Sequence, residues 1–305
     1  MGFHPFVPAE IEAALGRRYV VGPEIAVGGQ GEVFKATRVS RPDGAAADDV
    51  VALKLHLYPG RAMRVQREIT AMESLSHPNL GRLIEHGYCD MSGRRTGYIA
   101  SEFIEGQSLK NRLRIGGRLL ESEVLSIARD VLAAITALWS HRIVHGDIKP
   151  SNIMLRDSGS AVLIDLGVAS FFEEDAAPRP LTPVSPERFA HGGTLGYMSP
   201  EQARGQRPLT CASDIFSLGV VMLESVQGWH PTSGDQSALL EGIRASGGKL
   251  TVSTGLLKTL DKMLLKYPPG SRGKLADLSA HFQTLQEMME QQFARGARAP
   301  QKAQG

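Results

Sequence analysis

Near Glu105–Leu109 the apolar pattern of the chain changes from a period of about two to a period of about 3.6, and this change is what most limits the folds open to it. Upstream, "RYVVGPEIAVGG" and "GEVFKATRV" are β-rich runs around a glycine cluster, and "VVALKLHLY" alternates. A polar hairpin loop, "SRPDGAAADD", separates the last two. Residues 61–75 read as a helix, broken at Pro78 in "SHPNL". Two more strands follow at 80–88 and 97–104, joined by the turn "DMSGRR". Downstream, "ESEVLSIARDVLAAITALWSH" places Val124, Ala128, Val131, Ile135 and Leu138 on one helical face. Two short strands flank a turn at 153–164, and residues 170–195, without periodicity, form a long loop of the kind that is usually functional or disordered. Helices resume from about 213 to 290. The expected class is α+β: an extension at 1–18, a strand-rich lobe at 19–105, a helix-rich lobe at 106–290 and a disordered tail at 291–305.

Composition narrows the function classes. An apolar content of 42% excludes a disordered chain, and a net charge of +2 gives no case for coating nucleic acid or a membrane. The two cysteines, Cys89 and Cys211, lack the spacing of a zinc site or a disulfide framework and are expected to be reduced. The beginning of the sequence does not read as a signal peptide, and Phe6 excludes the myristoylation pattern. Apolar runs such as "FSLGVVMLESV" are cut by charge too early to span a bilayer. A soluble cytoplasmic protein is expected, with delivery to another cell left open.

Chemistry concentrates in four places. Gly28, Gly29 and Gly31 lie between two strands, where a backbone without Cβ can approach phosphate oxygens; a plain flexible turn is the competing reading. Lys54 sits on an apolar strand and needs a charged partner, for which Glu68 in the next helix is the candidate; a solvated edge lysine is the alternative. "HGDIKPSNIML" packs Asp147, Lys149 and Asn152 into a short loop, whose oxygens suit a hard cation and a hydroxyl proton and whose ammonium suits a phosphoryl group. "VLIDLG" puts Asp165 at a strand end, either as a metal ligand or as the start of a turn. In this order the parts are those needed for phosphoryl transfer from ATP.

From about Tyr19 to Leu285 the sequence closely resembles the eukaryotic-like Ser/Thr protein kinase family in its bacterial style. The resemblance implies a bilobal kinase fold, ATP with Mg²⁺ (or Mn²⁺) as cofactors, a protein substrate and, by analogy alone, a homodimer. Ala26, Gly28, Gly29, Gly31 and Val33 fall in the glycine-rich loop, and Ala52 and Lys54 in "VALK", with Lys54 on the α/β-phosphates and paired with Glu68. "EFIEG" resembles the hinge, so that the backbones of Glu102 and Ile104 hold adenine, and Ser101 gates the back of the pocket. Asp147 would accept the substrate hydroxyl proton, Lys149 would reach the γ-phosphate, and Asn152 and Asp165 would hold the metal. Thr194 would lie near Asp147, Glu201 would pair with Arg272 in the interior, and Asp214 would tie down the catalytic loop. Lys149 favours Ser or Thr over Tyr as acceptor. Thr182, Ser185 and Thr194 are candidate phosphosites.

The departures from the family pattern carry information. Ala26 replaces the first loop glycine, which is tolerable if its φ stays negative, and Leu166 replaces the usual Phe of the metal motif. Gly146 stands where many kinases carry the Arg that orders the activation loop through a phosphate, so the ordinary electrostatic route to activation is missing. Two other classes compete: a pseudokinase scaffold, which loss of Lys54, Asp147, Asn152 or Asp165 would support, and a small-molecule phosphotransferase, which usually lacks counterparts of Lys149, Pro200-Glu201 and Arg272. All of these residues are present. His145 reads as a packing strut rather than a base, and the other eight histidines show no ligand spacing.

Overall fold

The computed structural model describes residues 6–28, 31–40, 46–56, 62–91, 93–172, 194, 196–228, 252–265 and 268–297. Its contacts divide the chain into two units, one of residues 1–105 with 165–169 and one of residues 106–164 with 170–305.

The first unit is built on five antiparallel strands: β1 (Tyr19–Gly28), β2 (Gly31–Ser40), β3 (Ala46–His56), β4 (Leu83–Met91) and β5 (Arg94–Glu102), in the order β1-β2-β3-β5-β4. Side chains alternate between the two faces of a strand. Phe34 and Ala36 of β2 and Val51, Leu53 and Leu55 of β3 turn to one face and form the core with Tyr19, Val21, Tyr98 and Ala100. The intervening residues Val33, Ala52 and Lys54 occupy the other face. There, α2 (Ala62–Glu73) packs Val65 and Ile69 against Ile99, the residue opposite Lys54.

Two sequence expectations change in this unit. The ladder of the last two strands runs into the expected turn "DMSGRR", because Asp90 pairs with Arg95 and Met91 with Arg94. Opposite charges facing each other across an antiparallel pair favour lengthening the ladder. The region 1–18, expected as an extension, carries α1 (Pro8–Ala14), whose Ile11 and the following Leu15 are buried in the lobe core. These residues are four apart and so share a helical face.

The second unit begins with β6 (Gly106–Ser108) and α3 (Leu109–Gly116), where the Ser108 hydroxyl caps α3 by accepting from the Asn111 N–H. The long α4 (Glu121–Ser140) buries Val124, Ala128, Val131, Ile135 and Leu138. Then come β7 (Ile143–Val144), a 3-10 turn at Pro150–Asn152, β8 (Ile153–Arg156), β9 (Ala161–Leu163), β10 (Ser170–Phe171) and α5 (Pro200–Ala203). Strands β6, β8 and β9 form one small sheet, and β7 pairs with β10. Next, α6 (Cys211–Gln227) is apolar almost all round and is buried between neighbours, as such a helix must be. It packs against α4 and α7 (Thr254–Met263), while α8 (Leu275–Ala297) also lies on α4. Helix α8 runs past the boundary expected at 290, because "QQFARGA" holds no proline to stop it. Among the described residues, no helix is long and apolar enough to cross a membrane.

Candidate active site

In the first unit the strand register collects the residues of one site face. Ala26 lies opposite Val33, Val33 opposite Lys54, and Ala52 opposite Ser101, so these five share the face against which α2 packs. Ala26 has no positive φ, so its methyl is accommodated in ordinary strand geometry. Gly28 faces Gly31 at the end of the β1–β2 ladder, while Gly29 lies outside the described residues. A Cβ on Gly31 would run into the Leu55 carbonyl oxygen, so this glycine is required by strand packing as well as suited to a phosphate. The Glu102 N–H is committed to the Arg82 carbonyl at 2.9 Å, and Ile104 is buried.

Lys54 stands at the centre of this face. Its ammonium donates to Glu68 Oε1 and Oε2 at 2.8 and 3.0 Å and to Asp165 Oδ1 at 2.7 Å. Burial works to lower its pKa, but the two carboxylates outweigh burial and hold it above the ordinary lysine value. Burial pushes the Glu68 carboxyl up, against the pull of Lys54. Asp165 adopts φ 69°, the left-handed region that costs a non-glycine residue energy and gathers at functional sites. The Gly167 N–H donates to its Oδ1 at 3.2 Å, and the next residue after Asp165, Leu166, is buried.

The second unit holds the catalytic-loop motif. Asp147 is buried, and both of its carboxylate oxygens are engaged. Lys149 donates to Oδ2 at 2.6 Å and the Thr194 hydroxyl to Oδ1 at 3.1 Å, while Lys149 also donates to Thr194 at 2.8 Å. Asn152 donates to the Asp147 carbonyl at 2.9 Å and to Oδ2 at 3.3 Å, so the 3-10 turn that carries it folds back on the aspartate. His145 Nδ1 accepts the Asp147 N–H at 3.2 Å, which leaves Nε2 to donate to the Ile164 carbonyl at 3.1 Å. The ring thus bridges the loop to the end of β9, with both nitrogens committed.

Buried polar ties fix this loop from below. Asp214, at the start of α6, accepts the N–H groups of His145 at 2.8 Å and Gly146 at 2.9 Å. Burial raises its carboxyl pKa, which the two N–H groups oppose. Arg272 is fully buried and grips Glu201 in a two-pronged pair, with Nη2 at 2.8 Å from Oε2 and Nη1 at 2.5 Å from Oε1. Ser213 also donates to Glu201 at 2.8 Å. One contact had no local signal in the sequence: Gln202 of α5 donates to the Gly146 carbonyl at 2.5 Å. Another joins Tyr197 to Glu224 at 2.6 Å. Thr182 and Ser185 lie outside the described residues. Among the described residues no cluster of His, Cys, Asp and Glu forms a ready metal cage. Asp165 in the first unit and Asn152 in the second each offer a hard oxygen of the kind that Mg²⁺ takes.

A five-stranded lobe bearing a lysine–carboxylate cluster, followed by a helical unit whose buried aspartate sits in an Asp-x-Lys-x-x-Asn loop, defines the protein kinase class. The protein kinase domain model matches residues 19–276, and the chain belongs to that family. Over 223 residues it is 30% identical to the probable serine/threonine-protein kinase PknB of Lactococcus lactis, an alignment covering 73% of this chain and 34% of that protein. It is 32% identical over 226 residues to the serine/threonine-protein kinase PknA of Mycobacterium tuberculosis, covering 74% of this chain and 50% of that one. The chain therefore spans a third to a half of the length of these curated relatives.

Proposed function

We propose that this chain is an ATP-dependent kinase that transfers the γ-phosphoryl group to a Ser or Thr hydroxyl of a protein, working in the cytoplasm. The observation that carries the reading is the state of Asp147, a buried carboxylate that accepts an ammonium on one oxygen and a hydroxyl on the other. An acceptor hydroxyl presents the same donor as Thr194. In this reading Asp147 orients that hydroxyl and takes its proton as the oxygen bonds to the γ-phosphorus and the bridge to the β-phosphate breaks. Lys149 neutralises the transferring group, and Lys54, kept cationic by Glu68, meets the α/β-phosphates.

Ala26, Gly28, Gly29 and Gly31 offer backbone N–H groups to the phosphates. Val33 and Ala52 cover the adenine, and the backbones of Glu102 and Ile104 read its edge. Asp165 and Asn152 would hold Mg²⁺ (Mn²⁺ being the alternative), which when bound neutralises charge on the phosphates. With Gly146 in place of an arginine, the loop lacks the guanidinium that would pair with an activation-segment phosphate, so activity is proposed not to depend on that modification. The free thiols of Cys89 and Cys211 agree with a reducing compartment.

The test is transfer of label from γ-labelled ATP to a basic protein substrate, compared with Asp147→Ala. Wild-type transfer is expected, with a loss of about 10²–10⁴-fold in the variant, the usual worth of a positioned base. Binding of ATP without transfer by either protein would favour a scaffold, and transfer only to a small molecule would favour the other phosphotransferase class.

A further inference from the structure

The arginine missing at position 146 has a counterpart four residues upstream, in a different chemical setting. The guanidinium of Arg142 lies against two aromatic rings, with its central carbon 5.5 Å from the Trp139 ring centroid and 5.7 Å from that of Phe172. The two rings meet edge to face, with centroids 5.4 Å apart and planes at 67°. The same residue also acts through its backbone, because the Arg142 carbonyl accepts the Phe172 N–H at 2.7 Å. Arg142 holds φ 57°, in the left-handed region, so the clasp is maintained against a backbone cost.

The clasp sits at a meaningful place in the chain. Strands β7 and β10 pair over two residues only, Val144 with Ser170 and Ile143 with Phe171. A two-residue ladder is marginal by itself. Arg142 and Phe172 close one end of it. At its other end Val144 leads directly into His145, Gly146 and Asp147, while Ser170 is the fifth residue after Asp165. Whatever holds this ladder therefore sets where the strand enters the catalytic loop. In the ordinary arrangement an arginine beside the catalytic Asp orders the activation loop by pairing with a phosphate. A cation packed against a pair of rings needs none.

We propose that Arg142, packed against the Trp139–Phe172 ring pair, is a positioning residue that holds the β7–β10 ladder, and with it the catalytic loop, in working register without phosphorylation. The proposal rests on the kinase reading above and names the element that makes Gly146 tolerable. It also has a distinctive signature. The stack is solvent-exposed on its Arg142 side, so it contributes little to global stability, whereas a small displacement at a reacting centre is costly to rate.

The decisive variant is Arg142→Gly, because glycine adopts a positive φ without strain while removing the guanidinium. On phosphatase-treated protein, kcat for a peptide substrate is expected to fall by about 10- to 100-fold with KM for ATP nearly unchanged. The unfolding midpoint should stay the same or rise, and Arg142→Lys should recover part of the loss. If kcat of Arg142→Gly equals that of an active wild type, or if kcat falls only in step with the unfolding midpoint, the positioning role is wrong. An untreated wild type that is active and a phosphatase-treated one that is inactive would instead overturn the phosphorylation-independent reading of Gly146.

Discussion

Ser101 is proposed to border the purine, where one small side chain would set what the site can admit. It lies opposite Ala52 on the face that carries Lys54, and its hydroxyl reaches the Ala52 carbonyl only at 3.5 Å, so no tight bond holds it. A methionine there would fill space that a bulky N6-substituted adenine needs. Ser101→Met is expected to weaken binding of N6-benzyl ATP by about 10-fold or more, the scale at which an apolar pocket rejects excess bulk. Affinity for ATP itself should move much less. Competition binding against a fluorescent nucleotide reads both, and equal losses would show that Ser101 does not border the purine. Single residues of this kind were legible in the sequence when their neighbours were local. Lys54 and Glu68 stand one element apart, and Asp147, Lys149 and Asn152 share one loop. Distant pairs such as Glu201–Arg272 were legible through the family resemblance alone, whereas Gln202–Gly146, Tyr197–Glu224 and the contact of Arg142 with Phe172 were not, because each joins distant residues through a side chain that no motif marks and that would be ordinary in isolation.

Helix α1 makes the same point for whole elements. Its sequence, "PAEIEAA", is too short to be stable alone and carries only one strongly apolar residue. Its existence depends on the sheet it covers, and a local reading has no access to that. Ile11 is fully buried in the lobe core, Glu12 accepts the Val21 N–H at 2.8 Å, and Phe6 donates its N–H to the buried Glu32 at 3.0 Å. The helix touches both edge strands of the sheet, β1 and β4. It is therefore an integral part of the lobe. Ile11→Ala is expected to destabilise the protein by about 2–5 kcal/mol, the cost of emptying a buried aliphatic site. Urea unfolding checks this, and a loss well under that range would return α1 to a peripheral role. By contrast α4 was legible from its apolar period alone, since a twenty-residue helix repeats its buried face five times over.

Across the whole molecule, four carboxylates fall into two pairs with opposite pH behaviour. Glu85 and Glu201 are framework groups. Burial works to raise both, but Arg18, Tyr98 and Arg38 around Glu85, and Arg272 with Ser213 around Glu201, bring each below the ordinary value of 4.5. Glu68, bonded to Lys54, and Asp214, bonded to the His145 and Gly146 N–H groups, are instead raised by burial. A carboxylate depressed in the folded state contributes stability that is complete above its unfolded pKa and disappears as pH falls through its folded one. A raised carboxylate acts in the reverse sense, since the folded state takes up its proton first. The Glu201–Arg272 pair isolates the first behaviour, because it links α5 to the turn before α8 and Arg272 is completely buried. At neutral pH, Glu201→Gln leaves that guanidinium without its counter-charge and should cost about 3–5 kcal/mol, as breaking a buried pair does. Below 4.5 the wild type progressively protonates Glu201 and loses the same interaction, so the two proteins should converge. Urea midpoints for both, followed from neutral pH down through 4.5, measure the gap directly. A gap that stays constant over this range would mean that the pair contributes through shape and hydrogen bonding rather than through the charge on Glu201.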